Sequence, residues 1–317
     1  MPVNMIDRTG ANALIPVPLA NQIFASVAEN SAVLSLARRL PNMTAQQLRL
    51  PVMNMLPAAY FLAGDTDAKP TTKVTWENKV IVAEEVAVIV PVSENVLSDS
   101  AFDIWAAIQP FVSQAFGAVI DKAILYGTNK PTSWPTAIVP GATAAGNAIA
   151  MGTGANLYQD ILGEDGVISL VEQDGYMVSG YIGAMSLRGM LRGVVGTDEH
   201  PLFAPGAGMR PPFDPYNLDG QPTIFPRNGA IDPTVSLLIG GDWTQAVYSI
   251  RQDLTYRMLT EATIKSSDGG EINLAQQDMV GLRFAMRLGW QLPNPINAIN
   301  PNGTQRYPFA VLTPSAE

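Results

Sequence analysis

The sequence predicts an α+β fold, because a long stretch with strand periodicity is followed directly by a long stretch with helix periodicity. From Val74 to Val92, nineteen residues, apolar side chains occupy the even positions except Asn78 and Glu84, as in a strand with one covered face. From Phe102 to Tyr126 they recur at steps of three and four, which is typical of one helix face, and Gly127 follows where that helix would end. A strand of this length exceeds the usual ~5–6 residues. We therefore expect it to project from its domain and to pair with another strand or another subunit.

The N-terminal part predicts three elements that lead into the long strand. Residues 1–17 contain prolines and show no periodicity, so we expect an extended arm. Pro18–Leu40 predicts a helix with a basic C-terminal end at Arg38 and Arg39, which suits the helix dipole. Gln47–Met53 predicts a strand that forms a hairpin with the long strand, and the turn-forming residues of Leu62–Pro70 predict the hairpin tip.

The middle of the chain predicts a connector, two helices and a loop. Pro140–Ala155 is rich in glycine and alanine, which indicates a mobile connector. Leu157–Val171 and Ala184–Val194 predict helices. His200–Pro226 contains seven prolines, which is typical of a long ordered loop and not of strands.

The C-terminal third predicts mainly β-structure. Val235–Thr263 is β-rich, Ser266–Gly270 predicts a turn, and Met279–Leu292 predicts a further strand. Within the long helix, Pro110 removes a backbone donor and predicts a kink, for which the sequence offers no functional explanation.

Composition indicates a chain whose surface is covered by copies of itself. The 317 residues exceed the ~250–300 at which single cores stop growing, so we expect two sub-domains. Only 15% of the residues are charged, against roughly 25% in typical soluble domains, while 47% are hydrophobic. A large core would explain these values. Coverage of the surface by neighbouring subunits explains the low charged fraction better, because a chain with few charged residues has little with which to cover a surface that faces water.

Charge and cysteine content narrow the classes of function. The net charge of −9 and the pI of about 4.7 argue against a nucleic-acid-binding surface. The chain has no cysteine, which excludes disulfides, thiolate metal sites and a cysteine nucleophile. The N-terminal residues lack the layout of a signal peptide, and polar residues interrupt the long helix, so we expect a soluble protein with no membrane partner.

No group of residues predicts a catalytic, cofactor or metal site. His200 lies in Thr-Asp-Glu-His-Pro and could pair with a neighbouring carboxylate, but an exposed loop histidine is the better interpretation. Asp65 and Asp67 could bind a cation weakly, although a solvated turn explains them. Glu84 falls on the apolar face of the long strand, so we expect it to find a cationic partner or to mark a bend. The glycine pair Gly152 and Gly154 lacks the third glycine of a dinucleotide loop and predicts a flexible loop.

Short sequence motifs that occur together in one known family are found, in order, along nearly the whole chain. They are Ala63-Gly64-Asp65, Lys69-Pro70-Thr71, Val74-Thr75-Trp76, Lys79-Val80, Val92-Ser93, Val96-Leu97, Asp99, the long helix, Gly220-Gln221-Pro222, Leu238 to Trp243, Gln245, Arg251, Asp253, Val280 to Arg283, Arg287, Pro293 and Pro295-Ile296. In these residues and their order the chain resembles the capsid family of tailed bacteriophages, whose members build shells with the Hong Kong 97-like fold.

The resemblance implies a division of the chain into four parts. These are an N-terminal arm and helix (1–46), an extended E-loop hairpin (47–97), a peripheral P-domain with a long spine helix (98–130 with 246–292), and an axial A-domain (131–245 with 293–317). The candidate subunit-interface residues are Gly64, Asp65, Lys69, Pro70, Trp76, Val80, Arg283 and Arg287. Some relatives carry a cross-linking lysine where this chain has Thr66, so we expect a shell without covalent links between subunits.

The resemblance also implies function and partners. It predicts a non-enzymatic major capsid protein of the virion that assembles in the host bacterial cytoplasm, as hexamers and pentamers, into an icosahedral shell. The shell would enclose double-stranded DNA without sequence-specific binding, and it would leave room for portal, separate scaffold and decoration proteins. An encapsulin-type compartment with the same fold is the alternative, and a hydrolase is a remote one, since no acid–base constellation is assembled in the sequence.

Overall fold

The computed structural model describes residues 31–61, 69, 71–99, 104–194, 217–265 and 270–315. The helices are α1 (Ala32–Leu36), α2 (Glu94–Asp99), α3 (Ile104–Leu125), α4 (Ile138–Ala145), α5 (Leu157–Leu162), α6 (Val167–Gln173) and α7 (Met185–Gly193). The strands are β1 (Arg38–Arg39), β2 (Gln47–Met53), β3 (Trp76–Val82), β4 (Glu84–Ser93), β5 (Ala148–Ala150), β6 (Gly180–Gly183), β7 (Asn217–Leu218), β8 (Gln221–Ile224), β9 (Leu238–Gly241), β10 (Val247–Leu259), β11 (Thr263–Lys265), β12 (Glu271–Asn273), β13 (Met279–Gln291) and β14 (Phe309–Thr313).

The predicted single strand from Val74 to Val92 is wrong, because the chain breaks at Ala83 into two strands with different partners. β3 pairs antiparallel with β2, whereas β4 pairs antiparallel with β13. The buried positions also change parity, from the odd residues Ile81 and Ala83 to the even residues that begin with Val86. A two-residue period reports extended backbone but not the partner strand. Because the apolar alternation continues through Ala83 in the sequence, it did not indicate where the strand breaks.

A four-stranded sheet and the long helix α3 form the first core. The strand order is β1-β10-β13-β4, which places β13 inside the sheet. Its even-numbered side chains and one face of α3 belong to the same buried cluster, which includes Phe116, Ile120, Ile124, Leu282, Phe284, Met286, Leu288 and Trp290. The indole of Trp134 packs edge-on to that of Trp290, with ring centroids 6.5 Å apart.

The long helix confirms the prediction from helix periodicity. It contains Pro110 and is followed by Gly127, whose φ of 77° lies in the left-handed region that glycine tolerates. Ser100 and Asp103, whose spacing in the sequence resembles a helix-capping box, lie outside the described residues. The expected kink at Pro110 stays a prediction.

A six-stranded sheet in the order β5-β14-β9-β6-β8-β7 lies against the second core. That core packs side chains of α5, α6 and α7 on the sheet, with Ile161, Val167, Tyr181, Leu187, Leu238 and Leu312 fully or nearly fully buried. The predicted mobile connector at Pro140–Ala155 is wrong, because α4 and β5 occupy most of it. Alanine and glycine there allow close packing, and Gly141 lies against Tyr307.

Three further predictions need correction. The helix predicted over Leu157–Val171 is two helices, interrupted between Gly163 and Gly166. Arg38 and Arg39 lie in β1 rather than in a helix, since the Arg38 N–H donates to the Ala246 carbonyl and starts a parallel pairing with β10. The proline-rich loop holds β7 and β8, where Pro222 faces the two-residue edge strand β7.

Other predictions are confirmed or only partly described. The strands predicted within Gln47–Met53, Val235–Thr263 and Met279–Leu292 are present, as is the helix predicted over Ala184–Val194. β11 and β12 pair on either side of the turn predicted at Ser266–Gly270, most of which lies outside the described residues. The same holds for residues 1–30, which include the predicted arm and most of the first predicted helix.

Candidate functional site

The first candidate surface is the ribbon formed by β2 and β3, which is fixed at its base. The base packs in a small buried cluster that consists of Met43, Ile81, Ala83 and Val247. The Gln291 side-chain amide donates to the Val80 carbonyl at 2.9 Å, and the Trp134 indole N–H donates to the Val82 carbonyl at 3.3 Å. These bonds join the base of the ribbon to the first core.

The other end of the ribbon is exposed and aromatic. Met53 faces Trp76 at the last strand pair, and beyond it the Asn54 N–H donates to the Thr75 carbonyl. Trp76 is 64% exposed, although Ile81 on the same strand is fully buried. Tyr60, Phe61 and Val74 are exposed as well. Exposed aromatic side chains at the end of a two-stranded ribbon are suited to burial against another protein surface.

The second candidate surface, the arginine face, is the side of the four-stranded sheet opposite α3. It holds Arg257, Arg283, Arg287 and Glu85 around a depression of about 190 Å³ that Gln252, Thr255, Tyr256 and Ala285 complete. The strand register places Arg257 opposite Arg283, and Arg287 opposite Glu85. Three cations and one anion leave a local charge of +2 on a chain whose net charge is −9.

The single carboxylate does not neutralise the arginine face. Glu85 accepts a hydrogen bond from Arg283 Nη2 at 2.7 Å, and both side chains are partly exposed. The Nε atom of Arg287 is buried without a hydrogen-bond partner in the described structure. Directly opposed like charges and an unsatisfied buried donor both cost free energy in the isolated chain. The arginine face is therefore suited to an anionic or carbonyl-rich partner.

The predicted interface residues are divided between these two surfaces. Arg283 and Arg287 lie together on the arginine face, Trp76 lies at the exposed end of the ribbon, and Lys69 is exposed. Val80 lies nearer the ribbon base and is half-buried. Gly64, Asp65 and Pro70 lie outside the described residues, as do Asp67 and His200.

Sequence reasoning missed Arg257 and Glu85. Arg257 carries no signal beyond an arginine in a predicted strand, and only the register reveals that it faces Arg283. Glu85 follows Glu84 in the sequence and lies on the opposite face of the strand, which gives no sign of a partner. Pairing of β4 with β13, which the sequence did not reveal, brings it to Arg283.

The remaining polar candidates have structural roles. Glu84 begins β4 beside the break at Ala83, as expected for a residue that marks a bend, and it accepts a 2.6 Å hydrogen bond from Ser133 rather than pairing with a cation. Gly152 and Gly154 donate through their backbone N–H groups to the buried Asp160 carboxylate, so a hydrogen-bonded turn replaces the predicted flexible loop. Within the described part of the chain, no three His, Asp or Glu residues are grouped as metal ligands would be.

Comparison with known proteins decides the family. The Phage capsid family matches residues 11–301 of this sequence. The chain belongs to that family. Its function is to build a capsid from copies of itself, and it is a phage capsid component with the α+β Hong Kong 97-like fold.

Individual capsid relatives agree with this assignment over most of the chain. The chain is 26% identical to the major capsid protein of Staphylococcus phage 80alpha over 299 residues, which are 90% of this chain and 84% of the relative. It is similar to a structure from Microbacterium phage Oxtober96, with 38% identity, a TM-score of 0.76 and coverage of 98% of this chain and 100% of the other. A structure from Mycobacterium phage Adephagia has 31% identity, a TM-score of 0.76 and 99% coverage of both chains.

Among the described residues of the capsid chain, no helix combines the length and the apolar composition needed to cross a bilayer.

Proposed function

We propose that this chain is the major capsid subunit of a tailed phage, and that it assembles as hexamers and pentamers into an icosahedral shell around double-stranded DNA. The observation that carries the proposal is the ribbon. Its base is buried in its own subunit while its aromatic end is exposed. A two-stranded ribbon is marginal in water unless another surface covers it. Packing on a neighbouring copy supplies that surface.

The arginine face supplies a complementary docking site in this proposal. Its excess positive charge favours carboxylates or backbone carbonyls of a second copy, and a chain with 28 acidic residues offers many of them. We assign Arg283 and Arg287 to this contact together with Arg257. We assign Trp76 to the ribbon contact, with Val80 supporting it from the ribbon base.

The same proposal assigns roles to larger parts of the chain. Residues 47–97 hold the E-loop hairpin, 98–130 with 246–292 the peripheral domain, and 131–245 with 293–317 the axial domain. The break at Ala83 supports ending the projecting hairpin near residue 83, since β4 belongs to the same sheet as β13. Residues 1–46 are assigned to the N-terminal arm and helix.

The charge of the chain supports an interior that does not hold DNA tightly. An acidic subunit neutralises few phosphates, so the shell would bind packaged DNA only weakly. We place the shell in the virion, with assembly in the host cytoplasm. Its chemistry is structural rather than catalytic.

Imaging of the protein expressed alone, and of particles from infected cells, tests the proposal. We expect closed shells in negative-stain micrographs, and DNA-filled particles in which this chain is the dominant protein. Dispersed subunits under all assembly conditions, or small shells filled with protein cargo instead of DNA, would contradict it. A mobility-shift assay is the matched control, in which we expect duplex DNA to bind the unassembled subunit only weakly even at low salt.

A further inference from the structure

The middle of the arginine face is a shallow depression with long side chains around it and short ones below it. Arg283 and Arg287 are four residues apart on β13, so their side chains project from the same face about 13 Å apart along the strand. Ala285 lies between them, and the register places Thr255 on one side of it and Ala87 on the other. These three short side chains leave open space between the two arginines.

Two of the arginines meet at one carboxylate. Glu85 lies directly opposite Arg287 in the register of β4 and β13. The same Glu85 accepts the 2.7 Å hydrogen bond from Arg283, so the Arg283 side chain reaches along the strand toward the strand pair that holds Arg287. Arg257 adds a third guanidinium group from β10, directly opposite Arg283. The three cationic side chains therefore line one depression.

These cations have too little counter-charge within the subunit. Among the described residues that line the depression, only Glu85 is acidic. The Nε atom of Arg287 is buried and has no hydrogen-bond partner in the described structure. A guanidinium group presents about five N–H donors, so one carboxylate cannot satisfy three of these groups. Water or a dissolved anion must serve the remaining donors that solvent can reach.

The volume of the depression favours a small ligand. Its 190 Å³ correspond to about six water molecules at ~30 Å³ each. Pockets for drug-sized molecules usually measure ~300–1,000 Å³. A nucleotide would therefore extend beyond the depression, whereas a tetrahedral oxyanion fits between the guanidinium groups.

The charge and the donor geometry of the arginine face favour a dianion. A dianion neutralises the local charge of +2, whereas a single carboxylate leaves part of it uncompensated. The guanidinium fork matches two oxygens of a phosphate and forms paired, charge-assisted hydrogen bonds with them. The Thr255 hydroxyl donates to the Ala285 carbonyl at 3.2 Å, so the arginines supply the donors for the ligand.

We propose that the arginine face of the unassembled subunit binds one inorganic phosphate dianion. Arg257 and Arg287 donate to the phosphate from β10 and β13, and Arg283 donates to it while it keeps its bond to Glu85. The site goes beyond the shell proposal, and it stands whether or not this face later contacts a second copy.

Isothermal titration calorimetry of the full-length, unassembled subunit with inorganic phosphate tests the proposal. The titration is made at constant ionic strength and at about pH 8, where phosphate is a dianion. We expect saturable binding of one phosphate per subunit and similar binding of sulfate. Acetate should bind at least about tenfold more weakly, because it carries one charge fewer. Light scattering establishes that the subunits stay unassembled.

Variants of the arginine face should change the phosphate affinity in opposite directions. Arg257→Ala and Arg287→Ala should each weaken binding at least about tenfold, since a hydrogen bond to a charged group is usually worth more than this ratio. Glu85→Gln removes the competing carboxylate and should strengthen binding several-fold. Arg192→Ala is the matched control, because Arg192 is an exposed arginine on α7, away from this sheet. It should leave the affinity unchanged.

Each of four results would overturn the proposal. They are the absence of saturable phosphate binding, acetate binding as tight as phosphate binding, an equal loss of affinity in Arg192→Ala, and displacement of the phosphate by duplex DNA. The last result would assign the face to nucleic acid. Circular dichroism identifies a variant that has not folded. If Arg287→Ala fails to fold, the exposed positions Arg257 and Glu85 still decide the outcome. Titration of unassembled subunits also keeps failure of this site distinguishable from failure of the shell proposal.

Discussion

Strands β3 and β4 are adjacent in sequence, share one alternating pattern and yet have opposite environments. β3 has one partner, β2, and buries its base while exposing Trp76. β4 has one partner, β13, and its even-numbered residues Val86, Val88 and Val90 pack on the first core. The first strand thus extends away from the subunit, and the second strand belongs to its body.

The difference shows where the free energy of each strand comes from. β4 gains stability from apolar surface that it buries inside the subunit, which contributes about 25 cal/mol per Å². The end of the ribbon gains little from its own chain, because Trp76, Tyr60 and Phe61 remain in water. Changes in β4 should therefore affect folding, whereas changes at the ribbon end should affect assembly.

The largest effect is expected from removing the ribbon end. Replacing residues 54–75 by Asn-Gly should let Met53 and Trp76 close a two-residue hairpin in their present register. We expect the subunit to keep its helical circular dichroism, with a Tm within about 4 °C of the parent, and to form no shells in micrographs.

The control for that deletion is a chain in which residues 54–75 are replaced by a scrambled segment of the same length and composition. It should also fail to assemble if particular side chains make the contacts. Closed particles from the deleted chain would show that the ribbon is not an assembly element. Failure of the deleted chain to fold would show that the ribbon belongs to the core.

Two alanine substitutions within β3 separate the base of the ribbon from its end. Ile81→Ala opens a cavity in a fully buried cluster and should lower the free energy of unfolding by about 2–5 kcal/mol. Trp76→Ala should change it by no more than about 0.5 kcal/mol, because the side chain is largely in water. Urea denaturation of unassembled subunits measures both values, and light scattering should show an assembly defect for Trp76→Ala. Equal destabilisation by the two substitutions would contradict the distinction between a buried base and an exposed end.

On the arginine face, assembly and stability should respond in opposite directions. Arg257→Ala removes a cation that lies directly opposite Arg283, so the free energy of unfolding should rise by about 0.2–1 kcal/mol. The same variant should need a higher subunit concentration to form shells, because it weakens the proposed contact. Thr255→Ala, on the same face and strand, is the uncharged control. A loss of stability in Arg257→Ala would mean that the guanidinium is satisfied within its own subunit.

The smallest effect is expected at the junction between the two strands. Glu84→Gln keeps a carbonyl oxygen for the Ser133 hydroxyl, so the free energy of unfolding should change by less than about 0.5 kcal/mol, with normal particles. Glu84→Ala removes the acceptor and should cost about 1 kcal/mol. Differential scanning calorimetry resolves this pair. A large loss in Glu84→Gln would indicate that the charge itself holds the break at Ala83.

Periodicity predicted the elements whose environment is uniform along their length. β13 keeps its even-numbered face buried along its length and α3 keeps one face buried over most of its described residues, so their apolar spacing was sufficient. It failed where a strand changes partner, as at Ala83, and where small residues pack tightly, as in α4. Glycine and alanine contribute little to a hydrophobic pattern, although they allow close approach.

The candidate site could be predicted only in part, for the same physical reason. Arg283 and Arg287 lie four residues apart on one strand, so the sequence alone places their side chains on the same face. Arg257 and Glu85 join them from β10 and β4 through long-range pairing. The hydrogen bond from the Ser31 hydroxyl to Asp121 in α3 likewise joins residues that are 90 positions apart. The local sequence around a residue does not indicate which distant residue it will contact.

The base of the ribbon has a consequence for the timing of synthesis. Ser249 donates to the Pro41 carbonyl across 208 positions, and Gln291 donates to the Val80 carbonyl across 211 positions. Gly289 passes so close to Val82 that a side chain there would collide with it. A ribosome must therefore translate nearly the whole chain before the ribbon acquires a fixed direction. Under the proposed ribbon contact, we therefore expect only finished subunits, and not nascent chains on one messenger RNA, to enter the shell.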